Sequence, residues 1–161
     1  MNESKARVCP VCDEGTVESR NLRGVSVPFR DEPAVLIDED LLVPQCDTCG
    51  EMLLNDRVAA VYDHVLQRLY ERQRINQQKR EIERALSALR VNQSELEALL
   101  GVSQGYVSKL LRGEKVTSAT TVRFLHVLSS DPPMAVRSLA EIAPLNQDLL
   151  ARFGRAQPAR P

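Results

Sequence analysis

Tryptophan is absent from this chain of 161 residues, and phenylalanine and tyrosine contribute only three residues each. A core must therefore be assembled mainly from leucine and valine. No stretch approaches the ~18 consecutive apolar residues that identify a membrane-spanning helix, so no part of the chain is expected to cross a bilayer. The only histidines are His64 and His126, far apart in sequence. There is no glycine-rich phosphate loop and no Gly-x-Ser-x-Gly nucleophile turn. These absences leave no catalytic constellation, and the chain is not expected to be an enzyme.

Cysteine is also scarce, but its placement is informative. The four cysteines form two C-x-x-C pairs, Cys9-Pro-Val-Cys12 and Cys46-Asp-Thr-Cys49. Two thiolates three apart on a tight turn reach one metal ion, and two such turns complete a tetrahedral four-sulfur shell. That arrangement predicts a closed structural zinc site with ligands Cys9, Cys12, Cys46 and Cys49 and no open position for substrate. Iron held by four cysteines uses the same spacing; zinc is the commoner occupant. Disulfides suit secreted chains, whereas Met1 to Arg7 are mostly polar and charged, with no leading apolar run. With metal-type cysteines this points to a cytoplasmic protein. A redox C-x-x-C ordinarily comes as a single pair beside a helix start. His64 could ligate a metal, but four cysteines leave it no vacancy, and it is expected to be a half-exposed helix residue.

The net charge of −1 conceals an asymmetry. Met1 to Tyr70 carry 7 Lys/Arg and 13 Asp/Glu, a net of −6, and Glu71 to Pro161 carry 14 and 9, a net of +5. Such a division suggests a basic protein partner for the first half and nucleic acid for the second. Ordinary solvated surface is the alternative. Asp38-Glu39-Asp40 could hold a divalent cation, although adjacent acids more often form a turn.

Along the chain, Thr16–Arg20, Val25–Val27, Ala34–Ile37 and Leu41–Val43 read as short strands punctuated by Gly24, Pro28, Pro33 and the acidic triplet. A small antiparallel sheet would bring the two cysteine turns together. From Asn55 the period becomes helical. Val58, Val61, Tyr62, Val65, Leu66, Leu69 and Tyr70 form one stripe, with Asn55 or Asp56 as cap. The stripe fades through Glu71 to Glu81, where Ile75 is the lone apolar residue; this is a helical connector or a polar linker.

The remainder reads as short helices. Ile82, Ala85, Leu86 and Leu89 share one face. A helix capped by Asn92 runs from Gln93 to Leu100. After the turn Gly101-Val102-Ser103, Ser103 is expected to cap a helix from Gln104 to Arg112, stopped by Gly113. Ser118 opens another helix through Val122, Leu125 and Leu128. Two short helices joined by a glycine-containing turn make a helix-turn-helix. The expected fold is α+β with two domains: a small zinc-bound β-rich N-terminal domain and an all-α helix-turn-helix domain. The expected boundaries are 1–70 with the trailing amphipathic helix, 71–80 as polar connector, 81–143 as helix-turn-helix domain and 144–161 as a short helix, Leu145 to Phe153, with a disordered tail, Arg155 to Pro161.

The segment Gln93-Ser-Glu-Leu-Glu-Ala-Leu-Leu-Gly-Val-Ser-Gln-Gly-Tyr-Val-Ser-Lys-Leu-Leu-Arg-Gly113 resembles the Xre/Cro type of helix-turn-helix. Together with Cys-Pro-Val-Cys, Pro28-Phe-Arg30 and Cys46-Asp-Thr-Cys-Gly-Glu51, the order from Val8 to Ile142 resembles the MqsA/YgiT-type antitoxins. That resemblance implies a zinc-binding domain that neutralises a small basic mRNA-cleaving toxin and a C-terminal domain that dimerises and represses its own operon. A stand-alone transcriptional regulator with a structural zinc domain is the alternative. In the repressor-like geometry the second helix of the motif enters the major groove. The resemblance makes Gln104, Gly105, Tyr106, Ser108 and Lys109 candidates at base edges or phosphates, with Gln93, Ser94, Ser103 and Arg112 on the backbone of double-stranded, palindromic operator DNA. Two positions depart from the family pattern. Gly105 stands where the family has a base-reading Asn, leaving Gln104 and Tyr106 as the nearest replacements, and Lys109 stands where the family has Arg. The homodimer contact is expected within His126 to Ile142, whose apolar residues exceed what one small bundle needs.

Overall fold

The computed structural model describes residues 7–142, 144–145 and 147–153, apart from the side chain of Leu149. The tail Arg155–Pro161, expected to be disordered, lies outside the described residues. The chain is α+β and divides into two compact units, Met1–Gln73 and Arg74–Pro161.

In the first unit, β1 (Arg7–Val8), β2 (Thr16–Asn21) and β5 (Leu42–Cys46) form an antiparallel sheet in the order β1-β2-β5. Val17 lies opposite Cys46 and Val8 opposite Thr16, so one register links the neighbourhoods of both cysteine turns. The strands β3 (Ser26–Phe29) and β4 (Glu32–Leu36) pair as a separate hairpin. Alternation decides which side chains go inward: Val35 and Ile37 are buried on either side of exposed Leu36. They join Leu22, Leu41 and Val43 in a core closed by Leu66, Leu69 and Tyr70 of helix α1 (Asp56–Leu89). Asn55 caps this helix, its Oδ1 accepting from the Val58 N–H at 2.9 Å. Val61, assigned to the apolar stripe, is instead 52% exposed.

The polar run 71–80 is helical throughout, within α1. From Arg74 onward the helix belongs to the second unit, where Ile82, Ala85 and Leu89 are buried. They pack with α2 (Gln93–Leu100), α3 (Tyr106–Arg112), α4 (Ala119–Ser130) and α5 (Pro132–Ala140) around Leu96, Val107, Leu110, Leu125, Leu128 and Val136. Leu145, Leu150 and Phe153 lie against this core, the last two from α6 (Gln147–Phe153).

The start of α2 is a capping box: Asn92 Oδ1 accepts from Glu95 N–H at 3.0 Å, and Glu95 Oε2 accepts from Asn92 N–H at 2.8 Å. Its end is Gly101 at φ +65°, left-handed as the turn requires. The next helix starts later than its sequence suggests. It opens at Tyr106, and its N-cap is Gly105 at φ +79°, with no side-chain cap. Ser103 therefore does not cap α3; its carbonyl merely accepts from Tyr106 N–H at 3.1 Å. The reason is a competing acceptor, the carboxylate of Glu97, which takes the backbone N–H groups at this helix start.

Candidate metal centre and nucleic-acid interface

The four cysteines converge in the first unit, with all four sulfurs within 4.8 Å of one another. Cys9 Sγ lies 3.8 Å from Cys49 Sγ, and Cys12 Sγ lies 3.7 Å from Cys46 Sγ. Four sulfurs each ~2.3 Å from a central zinc define a tetrahedron with edges of ~3.8 Å, so the donor set fits the ion. Disulfides would need sulfurs ~2.05 Å apart, and all four thiols are free. His64 is exposed on α1 and stands outside this group.

The surroundings suit a charged metal–sulfur centre. Backbone N–H groups of Gly15 and Thr48 point at Cys12 Sγ and Cys46 Sγ, each at 3.4 Å, and Cys49 N–H reaches Cys46 Sγ at 3.5 Å. Without a cation the thiols oppose one another. The backbone N–H groups of Glu14 and Gly15 hold Cys12 down to about 7. Cys49, although drawn down by the Glu51 backbone N–H, is pushed up to about 12 by desolvation and by the sulfurs of Cys46, Cys12 and Cys9. A divalent ion held by Cys9, Cys12, Cys46 and Cys49 would remove this conflict, since it favours all four as thiolates.

Gly15 makes the convergence possible, because a Cβ there would lie 2.4 Å from Cys46 Sγ and 2.7 Å from Thr48 Cβ. Asp47, between the second pair of cysteines, ties its turn to β2: its Oδ1 accepts from Thr16 N–H at 2.8 Å and from Thr48 Oγ1 at 3.0 Å. The Thr16 N–H is also the main reason its carboxyl lies below the usual range. Neither residue stands out in the sequence, since each matters through partners about 30 residues away.

In the second unit, α2 and α3 form the two arms of the helix-turn-helix. Gln93 and Ser94 are exposed in the first turn of α2. Ser103 and Gln104 are exposed in the turn, and Lys109 is exposed midway along α3. Gly105 is half-buried at the head of the helix. The half-buried Tyr106 is engaged from two sides, its hydroxyl 3.2 Å from Thr117 Oγ1 and its ring 4.7 Å from Lys115 Nζ. Arg112 donates to Ser108 Oγ and pairs with Glu114 at 2.5 Å, so both already have protein partners. Val107 and Leu110 face the core, with Leu111 half-buried.

The model of the family described as the antitoxin component of bacterial toxin-antitoxin systems, MqsA, matches residues 7–138. The chain belongs to this family. A search of curated proteins finds no match. The matched range takes in all four cysteines and the whole of α2 and α3.

Two buried polar side chains support this antitoxin's helix-turn-helix, and neither is visible as a motif. Glu97 on α2 is 4% exposed, and its two oxygens accept from Gly105 N–H at 3.0 Å and Val107 N–H at 2.9 Å. It substitutes for the missing side-chain cap of α3 and offsets the unpaired donors of that helix start. Gln78, fully buried on α1, donates to the carbonyls of Leu110 at 2.9 Å and Lys115 at 2.8 Å, and its Oε1 accepts from Thr117 N–H at 3.0 Å. Every hydrogen-bonding direction of its amide except one acceptor lone pair is thereby used, and the loop after α3 is held to α1.

The acidic triplet of the first unit is not arranged around a cation. Glu39 pairs with Arg68, Asp38 with Arg72 at 2.6 Å and Asp40 with Arg23 at 3.5 Å. Arg72 is accordingly the main cause of the lowered Asp38 carboxyl, whereas for Asp40 the Asn21 amide acts first and Arg23 second. Among the described residues no helix is long and apolar enough to cross a membrane.

Proposed function

We propose that this chain is a type II antitoxin that captures a small basic toxin through its first unit and represses its own operon through its second. The observation that carries the reading is the family match over residues 7–138, which takes in both the cysteine centre and the helix-turn-helix. The charge division supports it: a net of −6 over Met1 to Tyr70 suits a basic protein, and +5 over the rest suits DNA. In this reading zinc is held by Cys9, Cys12, Cys46 and Cys49 and supplies folding energy to a unit with a small core. A closed four-sulfur shell leaves the ion no catalytic position, and the chain is read as a cytoplasmic, non-enzymatic protein.

On DNA, α3 enters the major groove of a palindromic operator and Lys109, with Gln104 ahead of it, faces base edges. Gln93 and Ser94 at the start of α2 meet phosphates; Gly105, Tyr106, Ser103, Ser108 and Arg112 shape or flank the contact. A homodimer formed through His126 to Ile142, the end of α4 and α5, spaces two such helices by about one turn of DNA. Apolar residues left exposed there, Val127 at 50% and Met134 at 49%, support that interface.

Co-expression with the product of a small open reading frame adjoining the gene tests the proposal. The expected result is a stable complex and loss of the toxicity of that product. A chain that binds its own promoter but neither binds nor neutralises the neighbouring product is a stand-alone regulator instead.

A further inference from the structure

The β3–β4 hairpin turns through Arg30 and Asp31, with Phe29 paired opposite Glu32. Arg30 adopts φ +54°, whereas Asp31 does not take positive φ. A positive φ at the first of two loop residues alone is the pattern of a II′ hairpin turn, a position ordinarily given to glycine. Arginine there carries backbone strain that glycine would avoid, and strained non-glycine residues gather at binding surfaces.

Its side chain is held rather than loose. The guanidinium carbon lies 5.7 Å from the Phe29 ring centroid and 5.6 Å from that of Tyr70, and these rings pack edge to face at 5.8 Å. Both rings favour a cation at that place. Arg30 is exposed and, among the described residues, forms no ion pair, in contrast to Arg23, Arg68 and Arg72 of the same unit. A guanidinium attracted by ring faces spends none of its N–H donors on an anion, so they remain available for a carboxylate.

We propose that Arg30 is an anchoring residue of the first unit's interaction surface and receives a carboxylate from a partner protein. The inference rests on the toxin-capture reading and adds a recognition element to it. An exposed guanidinium held against two rings, in a unit of net negative charge, calls for an acidic point within the partner's basic surface. Such a pair fixes register and orientation where overall charge attraction alone would not. The net of −6 over Met1 to Tyr70 argues against nucleic acid as the ligand of this unit.

The test uses the full chain and, as probe, the small basic protein that the wild-type chain captures in co-expression. Arg30→Gly and Arg30→Asn, both tolerant of positive φ, should melt within about 4 °C of wild type and bind the probe at least tenfold more weakly. Arg30→Lys should recover part of the affinity, and in that variant alone a carbodiimide-activated Asp or Glu of the probe should form an amide with the amine at position 30, with release of the urea, located by mass spectrometry. Unchanged probe affinity in the glycine and asparagine variants overturns the proposal. So does a marked fall in melting temperature in both, which would make Arg30 a structural clasp. A wild-type chain that captures no probe overturns the toxin-capture reading itself and this inference with it, a result distinct from a wild-type complex indifferent to Arg30.

Discussion

Replacing Glu97 by glutamine removes one charge from the helix-turn-helix without changing its shape. In the wild type, one carboxylate oxygen accepts from Gly105 N–H at 3.0 Å and the other from Val107 N–H at 2.9 Å, in a site 4% exposed. Glutamine offers one acceptor and one amino group, so one backbone N–H must face another donor. The remaining bond also loses its charge assistance. A buried donor left without a partner costs about 1–3 kcal/mol, and a bond to a charged group contributes more than a neutral one. Together these give about 2–3 kcal/mol, a substantial part of a typical domain stability of about 5–15 kcal/mol but not enough to unfold the chain. With a urea m-value of about 2 kcal/mol/M, the unfolding midpoint of the helical unit, followed by far-UV circular dichroism, should fall by roughly 1–1.5 M. Operator affinity should fall with it, because the head of α3 loses its fixed position. Glu97→Ala should fall further, since both N–H groups then lack an acceptor and a cavity opens. A Glu97→Gln midpoint within about 0.2 M of wild type would mean that water replaces the carboxylate at no cost, and the bracing argument would be wrong.

Three other outcomes are expected. If the four cysteines hold zinc, which in comparable sites contributes on the order of 10–16 kcal/mol, chelation should unfold the first unit, read by circular dichroism, while operator binding in a mobility-shift assay survives; equal loss of both would contradict the division of labour. Lys109→Ala should weaken operator binding by about 1–3 kcal/mol if it reads a base, and uniform weakening on all sequences would make it a phosphate contact. Asp38 has a lowered pKa, chiefly because of Arg72. Its stabilising effect is therefore complete above the ordinary carboxylate value of about 3.9 and disappears as pH falls through the lower folded value. The stability difference between wild type and Asp38→Asn, from urea midpoints, should shrink as pH falls through that window, and a difference that grows would reverse the sign of the argument.

Much of the architecture is legible because it is local. Two C-x-x-C pairs converge as their spacing implies, and β2 to β5 lie close to the expected strands. The helix from Gln93 to Leu100 shows its capping box and terminal glycine within a ten-residue window. Errors arise where a distant residue competes with a local rule. Ser103 is a good cap by composition, yet Glu97, six residues earlier on α2, takes the N–H groups and moves the start of α3 to Tyr106. Val61 fits the helical period but is exposed, because periodicity assigns a face without saying how wide a stripe the core covers. Gly15 and Gln78 belong to no spacing rule. Their roles follow from a sulfur 31 positions away and from three backbone groups across the second unit.

Composition and cohesion separate at Gln78. A fragment beginning at Glu81, where the apolar pattern resumes, would contain both arms of the helix-turn-helix but omit the amide that meets Leu110, Lys115 and Thr117. It would also omit Arg74, which donates to the Thr117 carbonyl at 2.9 Å. Such a fragment should be less stable and more protease-sensitive between Gly113 and Ser118 than one beginning at Arg74, although the added residues lie outside both arms of the motif. The shortest piece of this chain able to hold α3 as it stands in the whole protein therefore starts inside the polar run that composition alone marks as expendable.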